Sequence, residues 1–107
     1  MDKDESIAEA VSEPCRNALL QAKRYASQIV AGGISPYDGA HRIAAGLGNC
    51  YPYLGQDIDL VGLVGAFSAY ADLYQELALD PVKTRGIDED VVAAAREFMR
   101  IADATGV

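Results

Sequence analysis

His41 is the only histidine in this chain of 107 residues, and Cys15 and Cys50 are its only cysteines. These few side chains limit the available chemistry. A single imidazole removes most Ser-His, Cys-His and multi-histidine metal arrangements together. Asp38, His41 and Cys50 remain a set that a small enzyme or ligand-binding bundle could use, since Asp38 and His41 stand three apart and can touch on one helix face. A surface ion pair or a partly packed histidine is the simpler explanation of that spacing. Asp57 and Asp59 could meet a cation, yet no calcium-loop pattern with its closing glutamate follows. Charge at the amino end of a helix accounts for the two carboxylates better. Neither a GxxxxGK phosphate loop nor a GxGxxG turn after a strand occurs. The residues point to no catalytic centre, no metal and no cofactor, and the chain is read as a non-enzyme.

Charge position is the stronger signal. Sixteen acids stand against nine bases, a net charge of −7 and a sequence pI near 4.4. Such a field repels phosphate backbones and anionic lipid, which excludes nucleic-acid and membrane-surface binding as expectations. It speeds encounter with a basic protein. From Tyr51 to Val82 there is no Lys or Arg, whereas Asp57, Asp59, Asp72, Glu76 and Asp80 all fall there. Tyr51, Tyr53, Tyr70 and Tyr74 share that window, and Tyr37 precedes it. Phenols bury area at low entropy cost and carboxylates select Lys or Arg, so the segment reads as a recognition surface for a cationic protein. Asp57, Asp59, Asp72, Glu76, Tyr51, Tyr53 and Tyr70 are its candidate residues. The plain alternative is that Tyr70 and Tyr74 are core and the acids ordinary solvated faces.

Gly62, Gly65, Ala69, Asp72 and Glu76 recur at spacings of three and four, on one stripe of a helix. Glycine costs about 1 kcal/mol relative to alanine inside a helix, so two of them serve something. Close helix packing within the fold is the first explanation. Approach of a partner backbone, including a second copy through Gly62 and Gly65, is the other.

These positions need elements to hold them. Abundant Ala, short β-branched runs and half the residues hydrophobic favour helix over sheet and exclude disorder for the bulk of the chain. Residues 1–12 form a flexible or weakly helical arm. Ser12, Glu13 and Pro14 open a first helix, with Leu19, Leu20, Ala22, Ala26, Ile29 and Val30 at helical spacing and Gly32-Gly33 ending it. Ser35 as N-cap, Pro36 and a capping-box acid at Asp38 start a short second helix that turns Ala40, Ile43, Ala44 and Leu47 inward, with Gly48 near its end. Residues 49–56 read as a loop. A third helix spans 58–79, with Leu60, Val64, Phe67, Ala71, Tyr74 and Ala78 inward, and Asp80-Pro81 closes it. Residues 81–87 make a loop tipped by Lys83 and Arg85 and ending in Gly86. A fourth helix starts at Asp88-Glu89-Asp90, and Val91, Val92, Ala95, Phe98, Met99 and Ala102 face inward. The sum is one all-α domain over residues 1–107, an antiparallel four-helix bundle.

The most apolar stretch, 58–71, is shorter than the ~20 residues a membrane span needs. The first residues show neither a basic region nor an apolar one, so no signal peptide is expected and a cytoplasmic location is. Cys15 and Cys50 lie far apart without a CxxC or Cys/His cluster. One disulfide is possible, but a reduced intracellular pair is the expectation.

The segment from Val30 to Ala40, in which a helix ends in small residues and the next begins Pro36-Tyr37-Asp38-Gly39-Ala40, resembles small acidic helical proteins of actinobacterial type. More distantly, the order of helix, Ile34-Ser35 turn, short helix, acidic loop and two further helices looks like the colicin-D-type immunity proteins. That resemblance implies an acidic four-helix bundle that blocks the active site of a basic, tRNA-cleaving toxin. Its motif covers about ten residues that form a helix start, and no toxin-binding residue carries over to a position here. The reading is therefore a protein-binding module, an immunity protein or inhibitor of a basic toxin. Its alternatives are a helical homodimer or assembly subunit, and a small ligand-binding protein or enzyme.

Overall fold

The computed structural model describes residues 11–53 and 59–105. Among them four α-helices occur: α1 (Glu13–Ala31), α2 (Pro36–Ala44), α3 (Asp59–Glu76) and α4 (Arg85–Thr105), with a 3-10 helix at Leu47–Tyr53 between α2 and α3. No strand is present among the described residues, and the architecture is a four-helix bundle. α2 packs chiefly on α3, and α1 on α4; α1–α2 and α3–α4 contacts close the ring.

The first two helices start as their caps dictate. The Ser12 hydroxyl accepts from the Cys15 N–H at 3.4 Å, and the Ser35 hydroxyl accepts from the Asp38 N–H at 3.1 Å. Each occupies a donor that the first turn leaves without a partner. α1 ends on Gly32 at φ 79, whose N–H donates to Ile29 while that of Gly33 reaches back to Gln28. This is the Schellman arrangement, which needs a left-handed residue where glycine is unstrained.

The inner stripes meet in one core. Leu19, Ala22, Ala26 and Ile29 of α1, Ala40 and Ile43 of α2, Leu60, Val61, Val64, Phe67 and Tyr74 of α3, and Val91, Ala95, Phe98 and Ala102 of α4 are all buried. Phe67 and Phe98 meet edge to face at 6.4 Å, pinning α3 to α4. Leu20, expected inward, is exposed, because Leu19 fills the facing site and the next residue turns 100° away. Val30, Val92 and Met99 are half-buried at the margin.

Four expectations are corrected. The third helix stops at Glu76 rather than Leu79, because Ala78 (φ 53) and Leu79 (φ 57) turn left-handed. The N–H of Leu79 reaches Tyr74 and that of Ala78 reaches Gln75, a second Schellman close made without glycine. The fourth helix begins at Arg85, earlier than its acids suggest. The Asp80 carboxylate accepts from Val82 N–H at 2.9 Å and Thr84 bonds back to the Asp80 carbonyl, so the expected loop of residues 81–87 is a hydrogen-bonded turn over 81–84 and helix from Arg85 on. The second helix ends at Ala44, short of Leu47 and Gly48, and a 3-10 helix over Leu47–Tyr53 stands where the expected loop of 49–56 begins. Finally, Cys15 and Cys50 form a disulfide, with Cα atoms 4.9 Å apart and both side chains fully buried. The 3-10 helix folds back on the first turn of α1, and that placement brings the two sulfurs together.

Val11, within the expected arm, is buried against the core; residues 1–10 of that arm lie outside the described residues. No helix among the described residues is long and apolar enough to cross a membrane.

Candidate functional site

α3 carries the site residues that can be placed. Its inner face is the core stripe. Its outer face exposes Gly62, Ala69, Asp72, Leu73 and Glu76, with Gly65, Ala66 and Ser68 half-exposed beside them. A helix apolar nearly all round is normally covered on every side; this one is open on one. A β-carbon placed at Gly62 would meet nothing within 4 Å. Gly62 therefore gives up helix stability without allowing any close packing in return, and the expectation that it serves packing within the fold is corrected. What it leaves is a shallow, smooth surface.

Asp72 and Glu76 stand one turn apart on this surface, both exposed. Asp59 is exposed too, but thirteen residues earlier, roughly 20 Å along the axis. There it favours the positive end of the helix dipole and lies within the field of Arg100 of α4. Arg100 is held mainly by Glu97, which accepts its guanidinium through both carboxylate oxygens. That pairing raises the Arg100 pKa and lowers that of Glu97, and Asp59 adds a smaller push on Arg100 in the same direction. The structure thus brings Asp72 and Glu76 together and leaves Asp59 apart. Asp57 and the Tyr51 side chain lie outside the described residues.

The phenols take a different part from the one expected. Tyr53 is half-buried against the core, and its hydroxyl accepts from the Ser12 N–H at 2.8 Å, tying the 3-10 helix to the start of α1. Tyr70 is half-buried against the same core. Tyr74 is buried, and its hydroxyl donates to Asp88 of α4. Burial first, then this bond and the Asp88 charge, push its pKa well above the ordinary tyrosine value. Tyr53 and Tyr74 are thus held within the fold through their hydroxyls, and Tyr70 packs against the core.

Of Asp38, His41 and Cys50, two have placed partners. The His41 ring lies against Tyr37 at 6.0 Å, and Cys50 is sealed in the disulfide, which leaves no free thiol. Among the described residues no three His, Cys, Asp or Glu side chains gather as metal ligands.

Two concave surfaces were not foreseen. One, ≈ 490 Å³, lies between α1, α2 and the 3-10 helix, where Arg42 sits over the Tyr25 ring at 5.8 Å among Asn17, Gln21 and Asn49. The other, ≈ 260 Å³, lies where α2 begins, α3 ends and α4 begins, walled by Tyr37, Tyr74, Leu79, Pro81 and Asp88. Tyr37 meets Tyr74 edge-on at 5.2 Å, and its hydroxyl accepts from the Gln75 amide at 3.0 Å. The sequence offers one signal for this second cleft, the turn at Asp80-Pro81 that reverses the chain beside Tyr74. Comparison of the chain with family models, with curated proteins and with solved structures finds no match.

Proposed function

We propose that this chain is a protein-binding module that receives a cationic partner on the outer face of α3, and that it acts as an immunity protein or inhibitor covering the basic site of a toxin domain. One observation carries the reading. α3 is apolar on almost every side, is open on one, and that open side is edged by Asp72 and Glu76 in a stretch without a single Lys or Arg from residue 51 to 82. A partner covering the face would bury Ala66, Ala69 and Leu73 while its bases meet the carboxylate pair. Small side chains let its backbone approach closely, and opposite charge selects it. The module would work by occupying a site built for a polyanion, with no chemistry of its own. Tyr70 is carried by the same helix, half-buried against the core.

A homodimer through Gly62 and Gly65 uses the same surface. An isologous contact sets a patch against its own copy, and this patch carries acids and no base. Like charges would face each other, which favours a foreign, basic partner.

The test is titration of the protein with an oligo-arginine peptide, followed by calorimetry at increasing salt. Binding weakens as salt rises. Asp72→Lys with Glu76→Lys lowers affinity by more than about tenfold, whereas Glu13→Lys with Asp103→Lys, of equal net charge, changes it by less than about twofold. Equal losses in the two double variants would mean that net charge alone is being read, and the α3 face would lose its claim.

A further inference from the structure

We infer that the cleft between α2, the α3–α4 turn and α4 is the pocket that anchors the partner, by taking one of its arginine or lysine side chains. This rests on the reading of a basic partner and adds where its key residue goes.

Three kinds of observation converge there. The first is apolar exposure. Among the described residues the exposed large hydrophobics are Leu20, Leu73, Leu79 and Val82, and the last three belong to the end of α3 and the turn that follows. Leu79, 49% exposed, lines the cleft with the rings of Tyr37 and Tyr74 and the prolines Pro36 and Pro81, and Val82, 80% exposed, follows Pro81 in the turn. Walls of this kind suit the aliphatic stem of a long basic side chain.

The second is the floor. Asp88 spends one carboxylate oxygen on the Tyr74 hydroxyl. Its other oxygen meets no donor among the described residues, yet no buried side-chain oxygen is without a partner there, so that oxygen remains within reach from outside. A carboxylate with an open oxygen beside aromatic rings is a receptor for an ammonium or guanidinium group. The third is backbone strain. Leu79 sits at φ 57, a conformation that glycine adopts freely and leucine does not. The chain holds a large apolar side chain at the rim where a strain-free glycine would leave it bare.

The electrostatics agree. Asp72, Glu76, Asp80, Asp88, Glu89 and Asp90 are opposed between residues 72 and 90 only by Lys83 and Arg85. Asp80 is occupied in capping its own turn, and Asp38 stands next to Tyr37. The amino ends of α2 and α4 point positive ends toward this region and would favour an anion. The full charge of Asp88 at the cleft and the excess of acids around it outweigh those partial charges.

The experiment follows amide shifts of the isotope-labelled full chain during titration with acetyl-arginine methylamide, its citrulline counterpart and inorganic phosphate. The arginine probe shifts Leu79, Thr84 and Asp88 saturably, and the uncharged citrulline probe does not. Asp88→Asn keeps an acceptor for Tyr74 but removes the charge, and weakens the arginine probe by at least about tenfold. Leu79→Gly weakens it as well, while its unfolding midpoint holds or rises, so lost binding cannot be lost folding. Equal shifts from citrulline, preferential shifts from phosphate, or none from any probe would overturn the inference. A cleft silent to arginine, with oligo-arginine binding still lost on reversal of Asp72 and Glu76, would remove the anchor and leave the α3 face standing.

Discussion

Tyr74 shows how much rests on one side chain. It is expected inward from its spacing to Phe67 and Ala71, and it is buried. Its partner, Asp88, reads in the sequence only as a helix-start acid; the bond between them depends on the turn at Asp80-Pro81 folding α4 back along α3. No local pattern encodes that pairing. The bond stabilises the neutral phenol, so the folded-state pKa lies above the ordinary value of about 10 that applies to the unfolded chain. The sign follows from proton uptake. Below about pH 10 both states hold the phenolic proton and the full contribution is present; above it the unfolded chain releases the proton first and stability falls. Tyr74→Phe should therefore lose about 1 kcal/mol near neutral pH, by removing the hydrogen bond. It should also lose less stability than the parent between pH 10 and pH 11. Urea midpoints at the two ends of that window give the answer, and parallel alkaline losses in both proteins would exclude the phenol as the titrating group.

At the scale of elements, the legible parts are those written in a few consecutive residues. Ser12, Ser35 and Gly32 do what their types and neighbours dictate, because capping is a contest among atoms two to four residues apart. The ends of α3 and the start of α4 were less legible, since Ala78 takes a glycine's conformation and Asp80 a cap's role only in the context of the packed turn. The glycines divide the same way. Gly62 faces open space, whereas a β-carbon at Gly39 would lie 2.3 Å from Cγ1 and 2.4 Å from Cδ1 of Ile29. α2 lies on α1 only because residue 39 has no side chain. Gly39→Ala gains about 1 kcal/mol in helix propensity but overpacks a stiff, buried isoleucine by about 1 to 3 kcal/mol. A net destabilisation is expected, and in an Ile29→Ala background the same substitution should become stabilising. Denaturant curves of the four proteins close that cycle; a loss of equal size in both backgrounds would mean that the Ile29 contact is not its cause.

Taken whole, the molecule divides its charge along the chain. Residues 14–56 hold Arg16, Lys23, Arg24 and Arg42 against Asp38 alone, and residues 57–82 hold five carboxylates and no base. The Cys15–Cys50 disulfide joins the first turn of α1 to the 3-10 helix, and the Tyr53–Ser12 hydrogen bond reinforces the same seam. It is the feature least legible in the sequence, because two cysteines 35 positions apart carry no spacing signal and meet only when the chain between them has turned through α2. Closing a loop of that length restricts the unfolded chain by about 3 to 4 kcal/mol, a large share of the roughly 5 to 15 kcal/mol that a domain commands. Cys15→Ala with Cys50→Ala should accordingly unfold at a much lower urea concentration than the oxidised protein. Reductant should lower the parent toward that value and leave the double variant unmoved. Reduction also opens a comparison within one protein, since a loosened 3-10 helix should free the Tyr53 ring while Tyr74, held from α4, stays packed. Coincident midpoints for the oxidised protein and the cysteine-free variant would show that the fold stands on its apolar core alone and that the cross-link contributes nothing to it.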